Sequence, residues 1–375
     1  MSASSVSSLA EAVNGFGFRL LAELAKGKPA NTLISPASIA LALTLACNGA
    51  AGETQQAMAQ TLGIDRLGLK KANQGCAGLL DTLATLDPRV EISLANSLWV
   101  IADVKIKPAF LEIGRAMYRA EIRNIPFDGA AVKAVNEWVE EKTHRRIRQL
   151  LAPGDLTPAT LMALLNAIYF KGAWTHAFES HLTREGVFTC VDGAQQPAML
   201  MRQSGKFAYF SDDRAQVARL PYGAGRASMI IALPRPEIDI GAFARGLDAA
   251  GWTKLTRPLL MREGSIVLPR FKVECSLRLN DALSALGMAI AFGDQADFSA
   301  MFARDSACIS AVQHKAFVEV NEEGAEAAAA TAVVMAKTLS LAPAPFRFVA
   351  DRPFCFAIED GETGAILFLG VVTRL

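Results

Sequence analysis

The chain has 375 residues, 51% of them hydrophobic and 20% charged, which supplies a large core and excludes wholesale disorder. Lysine and arginine number 38 against 37 acidic residues, a net charge of +1, and this balance asks for no nucleic acid, anionic membrane or acidic substrate. Six scattered cysteines (Cys47, Cys76, Cys190, Cys275, Cys308, Cys355) form no Cys-x-x-Cys pair, so they read as small buried hydrophobes and not as zinc or redox ligands; disulfides among them stay open.

The first 25 residues place Leu9, Val13, Phe16 and Leu20 at helical spacing, with no basic region ahead of an unbroken apolar core. That is an amphipathic helix and not a signal peptide. No run of about 18 apolar residues occurs, so no membrane span is expected. As it stands the chain is expected in the cytoplasm; a trimmed leader would make it extracellular or periplasmic. Ser35-Pro36 sets a helix start, serine as cap and proline in the first turn, with Ile39, Leu43 and Cys47 following at four-residue spacing. A second helix ends near Gly63. From Val90 the period changes to two: Val90, Ile92, Leu94, Asn96, Leu98 and Val100 share one face of a strand, and the amide of Asn96 requires hydrogen-bond partners there.

A helix is expected from Asp128 to about Arg148, with Val132, Val135, Val139 and Lys142 on one stripe. The cations at its end (Lys142, Arg145, Arg146, Arg148) read first as complements to the helix C-terminus and second as a glycosaminoglycan patch. Residues 161–174, LMALLNAIYFKGAW, are apolar on both faces, as in a central strand. Residues 184–276 read as short strands and turns with helical breaks, including SMIIALP and the alternating SIVLPRFKVEC. The C-terminus is a hairpin, PFCFAIED and AILFLGVV about a Gly361–Gly364 turn. No repeat, linker or composition break divides the chain, so residues 1–375 are expected to form one domain.

Enzyme signatures are missing: no G-x-S-x-G, H-E-x-x-H or P-loop occurs. The four histidines are His144, His176, His181 and His314. His176 and His181 are close but lack further ligands, so no metal or cofactor is expected.

Residues 317–348, FVEVNEEGAEAAAATAVVMAKTLSLAPAPFRF, fit no ordinary element. An alanine-rich surface helix is one reading. The other is a segment suited to become a strand. At period two, Ala325, Ala327, Ala329, Thr331, Val333 and Met335 form one face, and Glu326, the sole charge of the tract, falls on the other. No proline or bulky side chain stands near its front, and Gly324 supplies a backbone hinge.

Glu322-Glu323-Gly324-Ala325-Glu326 followed by Ala327–Ala330 and Thr331 resembles the hinge of the serpin family. The segments NTLISPASIALALTLACNGAAGET (31–54), NAIYFKGAW (166–174), HKAFVEVNEEG (314–324) and ADRPFCFAI…GAILFLGVV (350–372) resemble that family's motifs in the same order. The chain looks like a prokaryotic-type member without a signal peptide. The resemblance implies an α+β fold of three β-sheets with eight or nine helices and an exposed reactive-centre loop, about 324–345. It implies no enzyme but a monomeric inhibitor cut as a suicide substrate by a serine protease, in some cases a cysteine protease, whose loop then inserts as a strand into the central sheet. The cleaved bond lies fifteen residues past the hinge glycine, which gives Thr338–Leu339, with Lys337–Thr338 as the alternative. Threonine before the cut suits elastase-like or subtilisin-like enzymes; Lys337 suits a trypsin-like one. Ser35, Ser38, Asn96, Asn166 and His314 match the polar cluster where strands part, called the shutter, and Trp174 matches the tryptophan at the top of the opening, the breach. The alternatives are a non-inhibitory serpin acting as carrier or chaperone, whose hinge would carry bulky, charged or proline residues, and a hydrolase, for which no nucleophile stands beside a base.

Overall fold

Apolar periodicity explains where the helices and strands form. The computed structural model describes residues 3–27, 29–157, 159–303, 307–323 and 344–375. Helix α1 (Ala3–Leu24) buries Leu9, Val13, Phe16 and Leu20 on one stripe. β1 (Thr32–Ile34) leads to α2 (Pro36–Gly49), where the Ser35 hydroxyl accepts the Ser38 N–H as an N-cap. α3 (Gly52–Leu62) stops at Gly63, whose φ of 73° favours glycine, and α4 (Leu69–Ala84) follows. Next come β2 (Val90–Ile101), α5 (Pro108–Tyr118), β3 (Glu121–Ile125), α6 (Ala131–Lys142) and β4 (Met162–Gly172). A strand-rich stretch holds β5 (Arg184–Thr189), β6 (Gln195–Ser211), β7 (Ala215–Pro221), β8 (Ala227–Pro234), α7 (Ile240–Arg245), α8 (Ala249–Thr256), β9 (Leu260–Pro269) and β10 (Phe271–Arg278). After α9 (Asn280–Leu283) come β11 (Ala311–Val320), β12 (Phe346–Val349), β13 (Phe354–Asp360) and β14 (Ile366–Val372).

The fold is α+β, with nine α-helices among the described residues. One sheet has five strands in the order β10-β11-β4-β2-β3; the other has nine, β1-β14-β13-β8-β7-β6-β9-β12, with β5 also on β6. Two of the three expected sheets are thus joined through β6. At 17 residues it outruns a typical strand, pairing with β5 and β9 along most of its length and with β7 at its end. The β13–β14 hairpin is antiparallel and almost wholly buried, as expected.

Three expectations needed adjustment. The expected alternation along β2 does not hold: Ile92 and Leu94 are only half-buried, and Ser93, Ala95, Ser97 and Trp99 of the other face are buried, where α6 packs through Val135, Trp138 and Val139 against Ala95 and Trp99. The helix expected over 128–148 ends at Lys142; Thr143 closes it by donating to the Val139 carbonyl and accepting the Ile147 N–H, and His144 and Arg145 take left-handed φ of 48° and 64°. Within the expected stripe Lys142 is exposed and Val132 half-buried, and the arginines lie beyond the helix terminus. SIVLPRFKVEC is two strands, since the chain leaves β9 at Pro269 and enters the other sheet as β10.

Candidate functional site

The five-stranded sheet has an unusual seam at its middle. β11 and β4 run parallel and pair directly through eight registers, Ala311↔Ala163 to Val318↔Phe170. Their outer neighbours are antiparallel: β10 on β11, and β2 on β4. A parallel ladder is slightly the weaker pairing per residue. β4 is buried along its length except at Lys171, and β11 buries the face of Val312, His314, Ala316, Val318 and Val320 while Gln313, Lys315 and Glu319 stand on its other face.

A polar row crosses this seam. Asn96 of β2 stands opposite Asn166 of β4, and Asn166 opposite His314 of β11. The Asn166 amide donates to Asn96 Oδ1, to Ser38 Oγ and, at 3.3 Å, to the Ser38 carbonyl, while its Oδ1 accepts from His314 Nδ1. His314 Nε2 accepts the Ser35 N–H at 3.2 Å, which places the ring proton on Nδ1. Ser35, Ser38 and His314 are fully buried. Burial pushes the His314 imidazole from 6.5 down to about 3, so the ring is neutral. Within this cluster Asn96 Nδ2 finds no partner among the described residues. Five residues from four elements and a helix cap, dispersed over 280 positions from Ser35 to His314, therefore form one network.

At the end of β11 the chain is pinned. Trp174 Nε1 donates to the Asn321 carbonyl at 2.8 Å, and its indole stacks on Tyr222 at 4.2 Å. Glu322, only 4% exposed, accepts from Arg270 Nε and Nη2 and from the Thr183 hydroxyl at 2.6 Å; its own carbonyl accepts the Phe178 N–H. Burial alone would raise this carboxyl, but its hydrogen bonds from Arg270 and Thr183 outweigh burial and hold it below the usual carboxylate range. A cleft of about 510 Å³ opens here, lined among others by Ser180, Arg270, Lys272, Asn321 and Glu323. Glu323 is exposed.

The chain returns to the described structure at Ala344 on a different sheet. β12 pairs parallel with β9, Phe346 opposite Gly264. The Phe346 ring stacks on Tyr209 at 3.9 Å and lies where a side chain on residue 264 would be, so only glycine fits.

The structure thus brings Ser35, Ser38, Asn96, Asn166 and His314 together and places Trp174 and Glu322 at the top of the seam. Gly324, Ala325, Glu326, Ala327, Ala328, Ala329, Ala330 and Thr331 of the hinge, and both bonds about Lys337, Thr338 and Leu339, lie outside the described residues. Sequence reasoning missed Arg270, Thr183 and Tyr222. Arg270 carried a weak signal, a cation directly after proline between two apolar runs; the other two carried none. All six cysteines are free thiols. His181 is exposed, 3.3 Å from Glu179. No helix among the described residues is long and apolar enough to cross a membrane.

Comparison with known proteins places these features. The model of the family described as serpin (serine protease inhibitor) matches residues 11–375. Serpin B6 of Macaca fascicularis is 36% identical over 372 residues, 96% of this chain and 98% of its own. Serpin-ZXA of Oryza sativa subsp. japonica is 36% identical over 384 residues, covering 96% and 95%. The crystal structure of a thermophilic serpin, tengpin, in the native state matches with a TM-score of 0.89 at 30% identity, over 98% of this chain and 94% of that one.

Proposed function

This chain belongs to the serpin family, and from that premise we propose that it inhibits serine-type endopeptidases as a suicide substrate. Serpins are generally protease inhibitors and not catalysts. The reading rests on one observation, the directly paired parallel seam between β4 and β11, beside the point where the chain leaves β11.

The protease serine adds to the carbonyl carbon of Thr338, the bond to Leu339 breaks, and the leaving nitrogen takes its proton from the protease's own histidine. Thr338 stays behind as an ester on the enzyme. Before the cut, residues 324–343 are tied at both ends, to β11 and through β12 to the other sheet. After it, the fifteen residues 324–338 are held only at Glu323. Fifteen extended residues reach about 50 Å, more than the roughly 33 Å spanned by the ten residues of β11. Turning back along β11, the arm runs antiparallel to both seam strands and replaces one parallel ladder with two antiparallel ones. The additional ladder is worth on the order of ten kcal/mol at about 1 kcal/mol per net hydrogen bond, comparable with the stability of a whole domain. The uncut form is then kinetically trapped. The polar row gives the parting strands hydrogen-bond groups to offer the newcomer in place of bare hydrocarbon. Loop insertion of this kind in serpins is itself a standard example of strand addition and released strain.

The test is incubation with pancreatic elastase, subtilisin and trypsin. The expected product is a complex that survives boiling in SDS, with a released fragment that begins at Leu339, or at Thr338 for trypsin. Cleavage without any complex, by all three, would overturn inhibition and favour a carrier or chaperone.

A further inference from the structure

We propose that the outer face of β6, β9 and β12 is a docking surface for an acidic patch on the protease that attacks the loop. The proposal uses the reading above only in requiring that a protease reach the loop.

Residues directly opposite one another across paired strands share a face. Ser204, Ser265 and Arg347 form one such row across the three strands, Lys206 lies opposite Glu263, and Met261 opposite Ala208. Arg202 is two residues before Ser204 on β6, hence on the same face. Arg202, Ser204, Lys206 and Arg347 are all exposed. Lys206 reaches Glu263 at 3.8 Å, whereas no ion pair joins Arg202 or Arg347 to a carboxylate among the described residues. Three cations against one anion leave the face at +2. At its end Met261, opposite Ala208 on this same face, is 66% exposed; Leu260 beside it, which alternates to the other face, is 69% exposed, and the two are the most exposed large hydrophobic side chains of the described structure. Arginine and methionine beside open apolar surface are the composition of a protein interface and not of a merely solvated sheet.

Position chooses the partner. Arg347 follows Thr338 by nine residues, so an enzyme holding the Thr338–Leu339 bond lies within about 30 Å of it along even a fully extended chain. Protease–inhibitor interfaces bury about 800 Å² on each side, a patch roughly 30 Å across. A protease seated on the bond therefore has this face within or beside its footprint. An acidic enzyme surface gains steering from the two unpaired arginines, and a basic one is repelled.

The experiment measures the second-order rate constant of loop attack, at Lys337, by the anionic and cationic forms of trypsin, which share a specificity and differ in surface charge. Wild type is compared with R202E/R347E and R202Q/R347Q, each checked for an unchanged unfolding midpoint. For anionic trypsin in about 50 mM NaCl the charge reversal is expected to lower the rate constant about tenfold, the neutral variant by less, and both differences should shrink below about twofold near 1 M NaCl. For cationic trypsin the reversal should leave the rate unchanged or raise it. Equal rates for all three proteins with the anionic enzyme, an equal loss with both forms, or no attack by either form on wild type would overturn the proposal. Complex formation is scored in the same reactions. Cleavage without complex would count against inhibition while leaving the docking rates readable.

Discussion

Acidification should loosen the seam through His314. Its imidazole is fully buried, its Nε2 already accepts the Ser35 N–H, and its Nδ1–H is spent on Asn166. A second proton would put a charge in the core and set a donor against a donor, which agrees with a folded value near 3 against 6.5 for a free imidazole. Below 6.5 the unfolded chain binds the proton and the native one does not, so the contribution is fully present above 6.5 and is lost as pH falls towards about 3. The slope is about 1.4 kcal/mol per pH unit, or about 2 kcal/mol by pH 5. The assay is urea unfolding followed by tryptophan fluorescence from pH 7.5 to 5, on wild type and His314→Gln. Glutamine does not titrate, so its stability deficit relative to wild type should shrink by about 2 kcal/mol between about pH 7 and 5. Exposed histidines and carboxylates affect both proteins alike and cancel. A deficit constant with pH would refute the reasoning, since it would mean that protonation of His314 is not what the fold resists.

Ala325→Arg should convert the inhibitor into a substrate, because a guanidinium at the front of the arm must enter the sheet; complex yield on SDS gels is expected to fall about tenfold, with loop cleavage intact. Calorimetry of intact and loop-cut protein should show the cut form melting higher by roughly 10 °C or more, from about ten kcal/mol over the unfolding entropy of a chain this size; coincident transitions would mean that no strain is stored. Gly264→Ala should destabilise the protein by about 1–3 kcal/mol, because the new methyl overlaps the Phe346 ring and pushes β12 from β9. Urea midpoints measure that loss, and an unchanged midpoint would mean that the anchor can relax.

Period and punctuation alone determined much of this protein. Helix α1, the Ser35 cap, the helix end near Gly63, β4 as a central strand and the β13–β14 hairpin all follow from residues near one another in the chain, where local propensity and tertiary packing agree. Motif resemblance extended that to the shutter residues and Trp174. Contacts between distant segments were decided only in three dimensions: α6 covering the second face of β2, β6 running through two sheets, and Glu322 held by Arg270 and Thr183. The physical reason is that a one-dimensional pattern shows which face of an element is apolar but not what will lie against it. The buried carboxylate of Glu322 acquires its meaning from Arg270 and Thr183, 52 and 139 residues away. Likewise, the direction of β4 relative to β11 depends on the path of the intervening chain, and no side chain on either strand encodes it.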